Sequence, residues 1–84
     1  MKFTAHVTVT LRPSILDPQG KATHHALTQL DFTQIGSVRI GKFIALEIEA
    51  GSEDEARQIA EKAAGQLLAN PVMEDFHVVI HHAS

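Results

Sequence analysis

The chain has 84 residues, no cysteine, and a formal net charge of −3 with its six histidines neutral. That length predicts a single domain over residues 1–84 that buries only roughly 60–65% of its unfolded surface, so its core is thin and association with other chains is a natural supplement. The composition excludes a disulfide framework, a thiol nucleophile and a Cys-based zinc site, the negative balance with scattered basic residues argues against nucleic acid, and apolar runs of only a few residues exclude a membrane span.

The opening MKFTAHVTV alternates apolar and polar residues rather than forming the apolar block of a signal peptide, so a cytoplasmic protein is expected. From Lys2 to Arg12 this alternation continues, with Phe3, Ala5, Val7, Val9 and Leu11 on one face and Thr4, His6, Thr8 and Thr10 on the other: a half-buried strand. The turn RPSILDP leads into a helix expected over about Pro18–Leu30. Asp17 is placed to cap it by accepting from Gln19 or Gly20, and Pro18 sits at the first helical position. Its apolar stripe is Ala22, Ala26, Leu27 and Leu30. Gly20, in the first turn, weakens this start by roughly 1 kcal/mol relative to Ala. Either the missing side chain gives internal packing clearance, or it opens the helix start as a docking surface.

Ile35–Ala50 is ambiguous. Val38, Ile40, Ile44, Leu46 and Ile48 are all even-numbered, so the inward phase survives Gly41-Lys42-Phe43. A hairpin with a three-residue, glycine-bearing loop preserves that phase. So does one unbroken strand, which at sixteen residues would span roughly 53 Å. The hairpin is favoured, and a long bent strand shared with a second protomer stays open. Ser52 and Glu55 then form a capping box for a helix running to about Ala69, with Ala56, Ile59, Ala60, Ala63 and Leu67 on its apolar side. Asn70-Pro71 ends it, and Phe76, Val78 and Ile80 define a last strand. The expected fold is α+β: a βαββαβ ferredoxin-like two-layer sandwich, its antiparallel sheet carrying two helices on one face. The other face, with its Thr and His residues, Arg39, Glu47 and Glu49 among Ile35, Phe43, Ala45 and Val79, suits either water or a subunit contact.

No catalytic constellation can be assembled. His77 and His81 are roughly 13 Å apart along a strand, His6 could meet only one of them, and no carboxylate completes a tetrahedral set; no metal or cofactor is expected on this chain. No serine sits in a nucleophile elbow. Glu53, Asp54 and Glu55 are what a helix dipole favours at an N-terminus. The βαββαβ order also suits an RNA-recognition motif, but the central strands lack the aromatic platform that stacks bases. Arg39 could pair with Glu47 or Glu49 across the hairpin, worth under about 1 kcal/mol if exposed, or it could bind a partner.

The series LDPQGKA after a VTVTL strand, then VRIGKFIALEIE, then LLANPVMEDF, resembles the PurS family, the small subunits of phosphoribosylformylglycinamidine synthase. The resemblance runs in order over nearly the whole chain. It implies a non-catalytic subunit, itself a homodimer or tetramer. Such a subunit assists a large PurL-type synthetase, on which ATP and Mg are expected, and a PurQ-type glutaminase that releases ammonia. It also points to Asp17, Pro18, Gln19, Gly20, Arg39, Gly41 and Lys42 as subunit-interface positions. An ACT-like small-ligand-binding regulatory domain is the alternative, because it shares the element order and pairs sheets to build effector sites.

Overall fold

The structure is a computed structural model, and it describes residues 1–82. Strand β1 (Lys2–Leu11) is central, with β2 (Gly41–Glu49) and β3 (Glu74–His82) antiparallel on either side in the order β2-β1-β3. Phe3 stands opposite Ile48 and His82, and Val7 opposite Ile44 and Val78. The odd residues of β1 and the even residues of β2 and β3 therefore share one face, as the period-2 pattern requires. Phe3, Ala5, Val7 and Val9 are fully buried on that face, joined by Ile48, Val78 and Ile80.

Helix α2 (Glu53–Ala63) covers this face and touches all three strands. Ser52 caps it as expected, its Oγ accepting from the Glu55 N–H at 3.2 Å, while Glu55 Oε2 reaches back one residue past the cap to accept from the Gly51 N–H at 3.3 Å. The helix then widens into a π-turn, Ala64–Leu68, closed by Ala69 N–H donating to the Ala64 carbonyl at 2.9 Å. The buried alanines explain the change of pitch. Ala56, Ala60 and Ala64 repeat every four residues and the next buried residue is Ala69, so an i→i+5 turn keeps both ends of the step on the sheet. Leu67, expected on the apolar side, is rotated out to 83% exposure by the same turn.

The α+β class and the antiparallel sheet are as the sequence predicts, but the parts are distributed differently within one chain. The hairpin does not form. Gly41-Lys42-Phe43 are the first three residues of β2, paired with Thr10, Val9 and Thr8, and residues 32–40 form no strand. A turn at 41–43 would have stripped those three pairs from the ladder. A Cβ on Gly41 would lie 2.5 Å from the Val9 carbonyl oxygen, so glycine alone lets β2 begin so close to β1.

Helix α1 (Pro18–Gln29) ends on a Schellman motif: Phe32 N–H donates to the Leu27 carbonyl and Asp31 N–H to that of Thr28, with Asp31 left-handed at φ 72°. This helix hardly touches the sheet or α2. Of its predicted stripe, Leu27 is half-buried while Ala22, Ala26 and Leu30 are exposed. With residues 13–17 and 30–40 it forms an arm beyond the end of the sheet. The chain is consequently long and thin, 50 × 30 × 14 Å with a radius of gyration of 16.2 Å, against about 12 Å for a compact chain of this length.

Candidate functional site

The most heavily determined residue outside the core is Asp17. It is buried, and its carboxylate accepts from two backbone N–H groups: Gly20 at 2.9 Å, the expected N-cap bond, and Ile40 at 2.7 Å from the far end of the arm. The first half of this was legible as a cap; the second joins residues 23 apart. The Ile40 and Gly20 bonds, with the Arg39 charge and the Gln19 N–H beside them, hold the carboxyl below its ordinary value near 3.8, against an opposing desolvation cost. Asp17 is thus a latch between the start of α1 and the strap of residues 32–40.

Other predicted positions gather around it. Pro18 is the first helical residue, and Gln19 stands exposed beside it. Gly20 is buried. A Cβ there would lie 2.2 Å from the Val38 carbonyl oxygen and 2.8 Å from Asp17 Oδ2, so the strap's own backbone occupies the space. Internal clearance, one of the two expectations for this glycine, accounts for the missing side chain. His24 adds a second tie, its Nε2 2.8 Å from the Ile35 carbonyl oxygen. Among the described residues Arg39 forms no ion pair: its Nη2 donates to the Arg12 and Ile15 carbonyls, both at 2.9 Å. With no hairpin, Arg39 lies off the sheet and clamps the loop after β1, so of its two expected roles the pairing with Glu47 or Glu49 is not the one it takes.

Gly41 and Lys42 lie past the strap at the start of β2. Lys42 Nζ crosses the inner face to donate to the Leu68 carbonyl at 3.3 Å and stands 4.0 Å from Glu74, a cation at a helix C-terminus where the dipole favours it. Sequence reasoning missed Arg12. Its Nη2 donates to the Pro71 carbonyl at 2.7 Å and its Nε pairs with Asp75 at 3.3 Å, so Arg12 and Arg39 together tie the arm's root to the α2–β3 connection. That connection is itself fixed by Asn70, whose N–H donates to Glu74 Oε1 and whose Oδ1 accepts from Val72. No local pattern marks Arg12, because its partners are 59 and 63 residues away.

Charge neutralisation tests the latch. Asp17→Asn retains an acceptor oxygen but points an amide N–H₂ at one of two backbone donors, leaving that donor without a partner. The expected result is a thermal midpoint lower by about 5 °C at neutral pH. A carboxyl whose folded pKa is depressed contributes stability that is present above its unfolded value and disappears as pH falls through the folded value. The gap between wild type and Asp17→Asn should therefore persist from pH 8 down to about 4 and close only in stronger acid, as followed by melts across pH. A gap that closes between pH 6 and 7 would assign the effect to a histidine instead.

On the outer face of the sheet, His6 stacks against Phe43 and His81, with ring centroids 5.0 and 4.7 Å apart. As expected, His6 reaches one histidine of the last strand. Among the described residues, no group of three or more His, Cys, Asp or Glu side chains is placed to hold a metal ion, and no helix is long and apolar enough to cross a membrane. The two sheet edges differ. Arg57 on α2 reaches over β3 and donates to the Val78 carbonyl at 3.2 Å, whereas no side chain bonds to the outer edge of β2 among the described residues.

Comparison with known proteins places this architecture. Residues 4–82 match a family model described as PurS, phosphoribosylformylglycinamidine (FGAM) synthase. The chain is 48% identical over 75 residues to the phosphoribosylformylglycinamidine synthase subunit PurS of Mycobacterium leprae, covering 88% of this chain and 90% of that protein. Thermus thermophilus PurS superposes over 100% of both chains with a TM-score of 0.88 at 35% identity. A chain of the structure described as PurLQS from Thermotoga maritima superposes with a TM-score of 0.89 at 32% identity, covering 96% of this chain and 99% of that one.

Proposed function

The chain belongs to the PurS family of phosphoribosylformylglycinamidine synthase subunits, and from that premise we propose that it is the small, non-catalytic subunit of this ATP- and glutamine-dependent ligase complex, acting in de novo purine (IMP) biosynthesis in the cytoplasm. Its partners are then a large PurL-type synthetase, which holds ATP and Mg and converts formylglycinamide ribonucleotide to its amidine, and a PurQ-type glutaminase that supplies ammonia. The observation that carries this reading is the agreement, over 96% of the chain, with a component of the Thermotoga maritima PurLQS structure. One domain over residues 1–84 supplies shape to that assembly and helps ammonia pass from glutamine to the nucleotide.

The interface candidates work through this shape. Asp17, Pro18, Gln19 and Gly20 fix the start of α1, Arg39 fixes the root of the arm, and Gly41 and Lys42 fix where β2 leaves it. They are positioning residues for assembly. Reconstitution tests the proposal: synthetase plus glutaminase should form amidine from glutamine substantially faster when this chain is added, while the chain alone turns over nothing. Equal glutamine-dependent rates with and without it would overturn the reading, as would amidine formation, ATP hydrolysis or glutamine hydrolysis by the purified chain in proportion to its amount.

A further inference from the structure

Strand β3 is an edge of the sheet, and the outward backbone groups of an edge strand invite pairing with another chain unless something blunts them. The usual devices are missing here. β3 pairs with β1 residue for residue, from Leu11 opposite Glu74 to Phe3 opposite His82, so no bulge turns the edge away. The strand holds no proline and no lysine, and its middle, Phe76-His77-Val78-Val79-Ile80, is a β-branched and aromatic run without a carboxylate, Lys or Arg.

Arg57 stands at this edge. Its Nη1 donates at 3.2 Å to the carbonyl of Val78, the middle residue of β3. Arg12 N–H donates to the opposed Met73 carbonyl, and antiparallel bonding alternates from there. The odd residues of β3 therefore bond toward β1, and the N–H and C=O groups of Phe76, Val78 and Ile80 face outward. Arg57 takes this carbonyl although Glu53 and Glu61 stand four residues before and after it on α2, the spacing at which helix ion pairs form. Among the described residues it forms no ion pair.

The edge is complementary to itself. Laid antiparallel on a second copy with the two-fold axis at Val78, all nine residues of β3 find a partner. Phe76 stands opposite Ile80, His77 opposite Val79 and Asp75 opposite His81. The even-numbered residues of both copies keep to the face that α2 covers, as the side-chain period demands, and the acidic start of each strand meets the histidines ending the other. The same axis brings the two Arg57 side chains together, one on each Val78 carbonyl, across a strand spacing of about 4.8 Å. Two guanidinium charges so close repel one another, and each already holds the carbonyl the other strand would use.

We propose that β3 is a pairing surface for the β3 of a second copy and that Arg57 keeps it closed. The register belongs to the strand; the block belongs to one side chain on the helix above it. This inference is independent of the proposed function, and its failure would leave family membership and the enzymatic assignment intact.

The test uses full-length Arg57→Met, which keeps an apolar stem over β3 and removes the donor and the charge, with Arg57→Lys as the conservative partner. Circular dichroism establishes that each is folded. In sedimentation velocity over a wide range of concentration, Arg57→Met should form species of at least twice the wild-type mass that grow with concentration. Arg57→Lys, with its charge at the axis, should sediment like wild type. The absence of cysteine allows the register to be checked: His77→Cys/Val79→Cys places thiols in a non-hydrogen-bonded cross-strand pair, within disulfide reach. On mild oxidation it should give a covalent dimer on a non-reducing gel in the Arg57→Met background and monomer with Arg57 in place. Should Arg57→Met not fold, Arg57→Gln carries the same expectations. A folded, uncharged variant that sediments like wild type at every concentration overturns the proposal. So does one that associates without cross-linking, because its copies would then meet by another surface.

Discussion

Gly20→Ala is expected to weaken the protein at a position where helix propensity alone predicts a gain. In an exposed helix the change would contribute about 1 kcal/mol of stability. Here the new Cβ would lie 2.2 Å from the Val38 carbonyl oxygen, a backbone atom, and 2.8 Å from Asp17 Oδ2. Neither can yield without opening the latch, because Asp17 is held by two N–H bonds and the strap by Asp17 and His24. Overpacking of this kind costs about 1–3 kcal/mol, which exceeds the propensity gain at all but its lower end.

The damage should be confined to the arm. Because α1 hardly touches the sheet or α2, the Gly20→Ala body should keep its strand and helix signal in circular dichroism while limited proteolysis cuts the arm sooner than in wild type. Glutamine-dependent synthesis in the reconstituted complex should fall as well. A Gly20→Ala protein that is more stable than wild type and assembles equally well would mean that the strap does not lie against the helix start, and the latch account would go with it.

Phe3→Ala is expected to have the largest effect on the body. Phe3 is fully buried, packs among the core residues of the sheet and α2, and lies opposite both Ile48 and His82, the latter ring 4.9 Å away. Truncation removes the transfer free energy of the ring and leaves a cavity between sheet and helix, together about 3–5 kcal/mol. Domains of this size are stable by about 5–15 kcal/mol, and this core relies on alanines at 56, 60, 64 and 69, small side chains with nothing to spare for filling a void. Chemical denaturation should show an early, broadened transition, and the thermal midpoint should drop far more than for Asp17→Asn. A loss under about 1 kcal/mol would show that β1 and α2 are not packed as described.

The two variants separate two parts of one chain that local pattern treats alike. β1 and α1 have equally legible signals: strict alternation in one, and Asp17-Pro18 with an apolar stripe in the other. Alternation marked the buried face of β1 correctly because a strand has two faces and only one set of residues suited to the inside. The stripe on α1 identified a face that needs covering, yet Leu30 on it is 67% exposed in the single chain. An amphipathic pattern records that a surface is to be buried and carries nothing about which chain does so.

Within the site, the division follows the range of the contact. The cap bond from Gly20 N–H to Asp17 was readable because both groups lie in one turn. The bond from Ile40 N–H to the same carboxylate, the Arg39 clamp on the Arg12 and Ile15 carbonyls, and the Arg12 tie to Pro71 and Asp75 were not. Their acceptors are backbone carbonyls or carboxylates brought together only by the fold, and almost any sequence offers a carbonyl.

Sequence alone determined the strand phases, both helix starts, the stop at Asn70-Pro71, and the likeness to one family through three short motifs. Only the tertiary structure decided that residues 41–43 extend β2 rather than turn, that Gly20 makes room for Val38, and that α1 stands away from its own sheet. The reason is physical: a three-residue loop and an unbroken strand give the same inward phase at Val38, Ile40, Ile44, Leu46 and Ile48, so periodicity cannot separate them. The choice rests on backbone pairing of Gly41 with Thr10 and on the latch at Asp17, interactions between segments that the one-dimensional pattern holds apart.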